Sequence, residues 1–242
     1  MQYAIKDACD VFLLDRVTKK PILFSDYANS TNLSLDSDRV FARAKGVNKI
    51  PFDYNRSGSF TMEFEVFDLA WISILLGATD EKETIGINER EVLKVRALQT
   101  IELKEEPKAG SLAIFTVARD KRTHIEEQIE TTDYTIEDKE ITFTELEEGT
   151  EVVVYYIVDT KTPARTFRIR ADKFAENYTI IGKTEVKNEF GEFEYMNLEI
   201  TNCSPQSNME ITFSTDGVTN ISAVFDLFPD ENNEMAVISI IE

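Results

Sequence analysis

The 242-residue chain has few of the residues that build metal sites, disulfide frameworks and nucleophilic triads: two cysteines, one histidine and one tryptophan. Cys9 and Cys203 are too few for a disulfide framework, so we expect two free thiols in a reducing compartment. With His124 as its one histidine, the chain lacks the usual ligands of a zinc site and the base of a Cys/His pair. We therefore expect no metal, no cofactor and an ordinary surface role for His124.

Long hydrophobic runs are also missing. The longest run, around Trp71, is far too short to span a bilayer. No charged-then-apolar leader follows Met1. The sequence therefore predicts a protein that is made and folded in the cytoplasm and has no membrane partner.

Positive charge is scarce and unevenly distributed. Against 45 Asp/Glu the chain has 26 Lys/Arg, a net charge of −19, which argues against duplex binding through a basic face. Residues 1–59 hold nine Lys/Arg and seven Asp/Glu, a net of +2, which leaves −21 for residues 60–242. Solubility explains an acidic surface in general, but it does not explain this asymmetry.

Motifs that cradle phosphate or present a catalytic nucleophile do not occur: there is no G-x-S-x-G, P-loop or G-x-G-x-x-G. Carboxylates are so numerous that some pair will lie close by chance, which gives no ground for a glycosidase pair. Residues 226–234, DLFPDENNE, have the acidity of a calcium loop without its spacing, so we predict an Asx-rich turn. The sequence predicts no enzyme activity.

The abundant pattern is that of β-strands. Short β-branched or aromatic segments and one continuous apolar run, 151–158, which should be buried on both faces, predict strands. The shorter predicted strands are 10–15, 166–171, 195–200, 209–214 and 235–241. Helical pattern is scarce beyond residues 68–76, where Asp68 can cap the start and Gly77 the end. We expect a mainly-β fold with a β-sandwich or barrel core and one short apolar helix.

Residues 91–159 read as a separate segment. They contain about five strand candidates with intervening turns, between flanks of linker-like composition at 77–89 and 159–166. This organisation predicts an immunoglobulin-like β-module inserted into a split core formed by residues 1–90 and 160–242.

Residues 60–78, FTMEFEVFDLAWISILLGA, change period halfway. Residues 60–66 alternate, which predicts a strand in a sheet covered on one side. The helix that follows is apolar almost all round, so it must be covered either by its own sheet or by a neighbouring subunit. If a neighbouring subunit covers the helix, Trp71 would lie at the centre of that contact. The alternative, packing in its own core, is the interpretation we favour for Trp71 taken alone.

Residues 33–60 predict a long loop without obvious structure, which is uncommon in a compact domain and is usually functional or disordered. Its basic residues outnumber Asp36, Asp38 and Asp53. It is either a mobile, solvated hairpin or a basic arm that meets the acidic surface of another copy head to tail, anchored by aromatic residues. The predicted inter-subunit contacts of the loop and helix are Arg39, Phe41, Arg43, Lys45, Lys49, Phe52, Tyr54, Arg56, Leu69, Trp71, Ile72, Leu75 and Leu76.

The order of these parts resembles the tail tube (major tail) proteins of long-tailed bacteriophages. In that family a β-sandwich core carries a long loop, then a strand leading into a short apolar helix. Here residues 44–78 match the loop, strand and helix, and residues 208–240 match the C-terminal end. Some members carry an immunoglobulin-like domain, which fits residues 91–159.

The resemblance implies a structural virion protein whose copies form hexameric rings, stacked into the conduit for viral genome ejection. Implied partners are its own copies and the tape measure, tail terminator and baseplate or distal tail proteins, with assembly in the host cytoplasm. An acidic wall suits a channel that DNA passes without tight binding.

Two alternatives stay open. A β-sandwich adhesin or surface assembly module would want a leader, and a carbohydrate-binding or carbohydrate-active protein would want more exposed aromatics than one Trp suggests.

Overall fold

The computed structural model describes residues 2–117, 125–211, 215 and 217–241. These residues form eighteen strands, one α-helix, α1 (Ala70–Leu76), and a 3₁₀ segment, Ala97–Gln99. The predicted mainly-β fold is confirmed. The strands are β1 (Tyr3–Ile5), β2 (Asp10–Asp15), β3 (Pro21–Ser25), β4 (Ser30–Ala44), β5 (Val47–Phe64), β6 (Thr79–Glu83), β7 (Gly86–Lys94), β8 (Thr100–Glu102), β9 (Ala113–Val117), β10 (Ile125–Ile129), β11 (Tyr134–Glu137), β12 (Glu140–Phe143), β13 (Glu151–Asp159), β14 (Ala164–Arg168), β15 (Tyr178–Asn188), β16 (Phe193–Pro205), β17 (Ile221–Leu227) and β18 (Val237–Ile241).

The chain divides into two compact units. The first is Met1–Asp80 with Phe167–Glu242, and the second is Glu81–Thr166. The predicted insert, 91–159, lies within the second unit. That it is an independent module stays a prediction.

A nine-stranded antiparallel sheet forms the first unit, in the order β3-β2-β15-β16-β17-β5-β4. Two short strands lie outside this order. β1 pairs with the part of β15 that β2 does not reach, and β18 pairs with the part of β16 that β17 does not reach. Among the described residues the sheet does not close into a barrel, because β3 and β4 remain its two ends. Of the two predicted forms of the core, the structure therefore excludes the barrel.

The core of the first unit lies between this sheet and α1. Along β5 the side chains of Phe60, Met62 and Phe64 are buried while their neighbours are more exposed, which confirms the predicted one-sided strand as far as Phe64. The predicted end at residue 66 is wrong, because β5 ends at Phe64 and Val66 is 70% exposed. β17 pairs with β5 and shows the same alternation of buried and more exposed side chains. Phe225 lies opposite Phe60, and both are buried. Alternation with period two thus places one face of each strand against the helix.

The second unit contains two antiparallel sheets, β10-β9-β13-β7 and β11-β12-β8. Side chains from both sheets form one buried cluster, with Ile114 and Val154 from the first and Ile101 and Ile141 from the second. This is the arrangement of a small sandwich. The apolar run on β13 is buried on both faces at residues 152–154, as its pattern predicts.

Other strand predictions hold in part. β2 has the predicted bounds, and β13, β16 and β18 overlap theirs. The predicted strand at 166–171 is displaced, because β14 ends at Arg168 and pairs with β6 in a two-stranded sheet. Residues 209–211 are not a strand, and residues 212–214 lie outside the described part of the chain.

Candidate assembly site

The prediction of an unstructured loop at residues 33–60 is wrong, because these residues form a long antiparallel hairpin. β4 and β5 pair along their length, from Ser30 opposite Glu63 to Ala44 opposite Val47. Each strand thereby satisfies the backbone groups of the other along one edge. The structure thus shows a hairpin, and that it meets the surface of another copy stays a prediction.

The hairpin ends in a two-residue turn. Lys45 and Gly46 both have positive φ, 53° and 81°. Two positive φ values belong to the type I′ turn, whose twist matches that of the flanking strands. Two register shifts, between Ser37 and Asp38 and between Ala42 and Arg43, add bulges to the hairpin.

We call residues 35–57 the arm, because every one of them is exposed. At about 3.3 Å per residue, the ten residues from Leu35 to the turn reach roughly 33 Å. At its base, Leu33 is half-buried and Phe60 is fully buried, so the core ends there. No described part of the chain covers the arm.

The two faces of the arm differ in chemistry. Residues paired directly across two strands point to the same side of the ribbon. One side, the polar face, therefore holds the pairs Arg39–Asp53, Phe41–Pro51 and Arg43–Asn48. The other side, the apolar face, holds Val40 opposite Phe52, Ala42 opposite Ile50, Ala44 opposite Val47, and Tyr54 opposite Asp38.

Charges on the polar face are engaged within the arm itself. The Arg39 guanidinium donates to both Asp53 oxygens, with Nε–Oδ1 at 2.5 Å and Nη2–Oδ2 at 3.0 Å. This hydrogen bonding holds the pKa of the Asp53 carboxyl below its ordinary value. Arg43 Nε donates to Asn48 Oδ1 at 3.0 Å. Two of the five basic side chains predicted as contacts thus already have partners in the same hairpin.

The remaining predicted contacts lie on or beside α1, and of the two kinds of cover predicted for this helix the structure shows cover by its own sheet. Trp71 is fully buried and Leu75 is 1% exposed. Ile72 and Leu76 are half-buried, and only Leu69, at 45% exposure, is open to solvent. Trp71 and Leu75 therefore contribute to their own subunit's core and have no free surface to offer a neighbour.

Trp71 is held by aromatic side chains of the same unit. Its ring stacks on Phe64 with centroids 5.2 Å apart and meets Phe225 edge-on at 6.4 Å. The indole Nε1 donates to the hydroxyl oxygen of Tyr27 at 3.1 Å. A satisfied N–H and two ring contacts are typical of a core tryptophan, which was the alternative interpretation.

Both predicted ends of the helix are observed. Asp68 Oδ1 accepts the Ala70 N–H at 2.7 Å, although Leu69 is the residue at the N-cap position. Gly77 ends the helix at φ 64° in the left-handed region. A Cβ on Gly77 would lie 2.4 Å from the Phe174 carbonyl oxygen, so glycine is required for space as well as for conformation.

The two cysteines are free thiols, as predicted. Burial raises the pKa of Cys203 to about 12 and raises that of the half-buried Cys9 thiol. A thiol needs a lowered pKa to act as a nucleophile near neutral pH, so neither has the environment of a catalytic cysteine.

Residues 226–234 form the predicted Asx turn. Asp230 Oδ1 accepts the N–H groups of Glu234 at 2.9 Å and Asn232 at 2.8 Å. The bond from Glu234 is the largest cause that holds the Asp230 pKa below its ordinary value.

Within the described ranges, no cluster of three or more His, Cys, Asp or Glu side chains could hold a metal ion. His124 lies outside those ranges. None of the helices in them has the length and apolar content that a membrane crossing requires.

Comparison with known proteins gives one match over nearly the whole chain. The model of the YomU/Tube protein family matches residues 3–241. A search of curated proteins finds no match. The family match spans both units, so the family's sequence pattern includes the second unit.

Proposed function

We propose that this chain, which belongs to the YomU/Tube protein family, is the repeating subunit of a phage tail tube. The family is named for a tube protein, which makes the chain a phage tube-like structural protein and a component of the virion tail. We further propose how the copies assemble and what the tube does. Copies form rings of six that stack into a hollow tube, the tube conducts DNA during genome ejection, and assembly takes place in the host cytoplasm.

The exposed arm is the observation that carries this proposal. A two-stranded hairpin is at best marginally stable in water unless another surface packs on it. Residues 35–57 have no such cover in the single chain. A tube supplies cover from neighbouring copies, in a head-to-tail contact that uses different surfaces on the two partners.

The net charge of −19 supports the proposal that DNA moves through the tube without binding tightly to its wall. Proteins bind nucleic acid without sequence preference mainly by neutralising phosphates with Lys and Arg. A wall of like charge therefore lets DNA pass without tight binding. Besides other copies of this chain, the proposed partners are the tape measure, tail terminator and baseplate or distal tail proteins.

Sedimentation of the purified chain over a wide concentration range, with negative-stain microscopy of the same samples, tests the proposal. We expect a concentration-dependent shift from dispersed subunits to rings and tubes of one chain type. A strict monomer at every concentration, with no rings or tubes in the images, would refute self-assembly of this chain.

A further inference from the structure

We infer that the arm docks on a second copy of this chain through its apolar face, and that burial of apolar surface rather than charge holds the contact. This inference rests on the proposed function and adds to it the face that is buried. The apolar side chains of this face are Val40, Ala42, Ala44, Val47, Ile50, Phe52 and Tyr54, and Asp38, opposite Tyr54, is the one charged residue among these pairs.

The large side chains of the apolar face lie close to one another, and each is about half exposed to solvent or more. Val40, Val47, Ile50, Phe52 and Tyr54 are 49%, 60%, 56%, 56% and 50% exposed. Single exposed apolar residues are normal, but contiguous apolar patches mark interaction surfaces. Two paired strands that carry five such side chains on one side form a contiguous patch.

A second copy is the occupant because the same chain also exposes a matching apolar surface. On the side of β2 and β3 away from the core, Phe12 and Phe24 face each other with ring centroids 4.6 Å apart. They are 37% and 45% exposed, and Ile22, at the register shift two residues before Phe24, is 46% exposed. One copy thus offers both an apolar arm and an apolar acceptor.

Charge does not select the pairing of these two surfaces. The outer part of the arm carries Arg43, Lys45 and Lys49, and residues 10–25, which include β2 and β3, carry three Lys/Arg against two Asp. Arg39 is already paired with Asp53 inside the arm, so it has little to gain from a carboxylate of another copy. Burial of apolar surface is therefore the attraction that these two surfaces offer each other.

The test compares two aromatic residues on opposite faces of the same arm. Phe52 is 56% exposed on the apolar face, and Phe41 is 43% exposed on the polar face. Phe52→Ser should raise the concentration at which half of the protein assembles by at least about tenfold, which corresponds to losing one well-buried anchor. Phe41→Ser, the matched control, should change it less than about twofold.

Equal effects of the two substitutions would overturn the choice of face, and no effect of Phe52→Ser would overturn the docking itself. Absence of assembly in the wild-type chain would instead refute the proposed function, so the two failures are distinguishable. Thermal unfolding of the dispersed subunits shows whether either substitution has damaged the fold.

Wild-type assembly in salt gives a second test that needs no variant. Sodium chloride screens charges, whereas sulfate strengthens apolar burial. We expect assembly to persist from 50 to 500 mM sodium chloride, to within about threefold in concentration, and to increase in ammonium sulfate. Loss of assembly across that sodium chloride range would overturn the inference by showing that charge holds the contact.

Discussion

The arm and helix α1 are joined by the same strand, β5, and both are apolar, yet only one is covered by its own chain. The helix places Trp71 and Leu75 against the sheet, where both are buried. The arm runs past the end of the core and leaves Ile50 and Phe52 more than half exposed. The apolar side chains of both elements need to be shielded from water, but only those of the arm need another molecule to shield them.

This difference separates residues that hold the subunit together from residues that are available to hold copies together. A substitution in α1 should lower the stability of the subunit. A substitution on the apolar face of the arm should leave stability nearly unchanged and weaken assembly. The predictions that follow test this separation, beginning with the largest expected effect.

Trp71→Ala should destabilise the isolated subunit by about 3–5 kcal/mol, because it removes a fully buried ring and leaves a cavity between Phe64 and Phe225. The matched change in the arm, Phe52→Ala, should alter stability by less than about 0.5 kcal/mol. Denaturant unfolding of both variants at a concentration too low for assembly measures the difference. Similar losses in the two variants would show that the arm belongs to the subunit's core.

Gly77→Ala should destabilise the subunit by about 1–3 kcal/mol, because the residue is held at φ 64° and its new Cβ would meet the Phe174 carbonyl oxygen. Gly46→Ala at the tip of the arm is the control. Gly46 also has positive φ, 81°, but a Cβ there would have nothing within 4 Å. Denaturant unfolding should therefore show a larger loss for Gly77→Ala than for Gly46→Ala, and the reverse order would contradict the packing of the helix end.

The smallest expected effect comes from the basic residues of the arm. Replacing Arg39, Arg43 and Lys45 together with Glu should leave the melting temperature of the dispersed subunit nearly unchanged, since exposed ion pairs contribute only about 0.2–1 kcal/mol each. Assembly should weaken less than in Phe52→Ser. Sedimentation and thermal unfolding of the same preparation measure both quantities, and a complete loss of assembly here would make charge the main attraction between copies.

Sequence pattern predicted the fold class because the relevant signals are local. The alternation of Phe60, Met62 and Phe64, the continuous apolar run of β13 and the helix stop at Gly77 each follow from the chemistry of a few adjacent residues. The same patterns cannot tell which chain covers an apolar face. Trp71 was therefore open to two interpretations until its ring was seen against Phe64.

The two long strands of the hairpin were not predicted, because its two bulges interrupt the alternation. From Val47 to Ile50 the apolar side chains of β5 are three residues apart, and Asn55, at φ 48°, breaks the pattern again after Tyr54. Pro51 and several charges add the composition of a loop. The turn signal was also weak, since Lys45-Gly46 is not one of the Asn-Gly or Asp-Gly pairs that favour a type I′ turn. With the register known, most apolar residues of the arm fall on one face, and Phe41 and Pro51 fall on the other.

Protection of an introduced thiol tests most directly whether assembly buries this face. Ala42→Cys places a small side chain on the apolar face, and Ser37→Cys places one on the polar face. Both positions are exposed in the single chain, so a maleimide reagent should label both in the dispersed subunit, with wild type as the blank for Cys9 and Cys203. In assembled protein we predict that labelling at position 42 slows by at least about tenfold, as expected for a site inside an interface, while labelling at position 37 changes little. Equal labelling of the two positions in assembled protein would contradict the account.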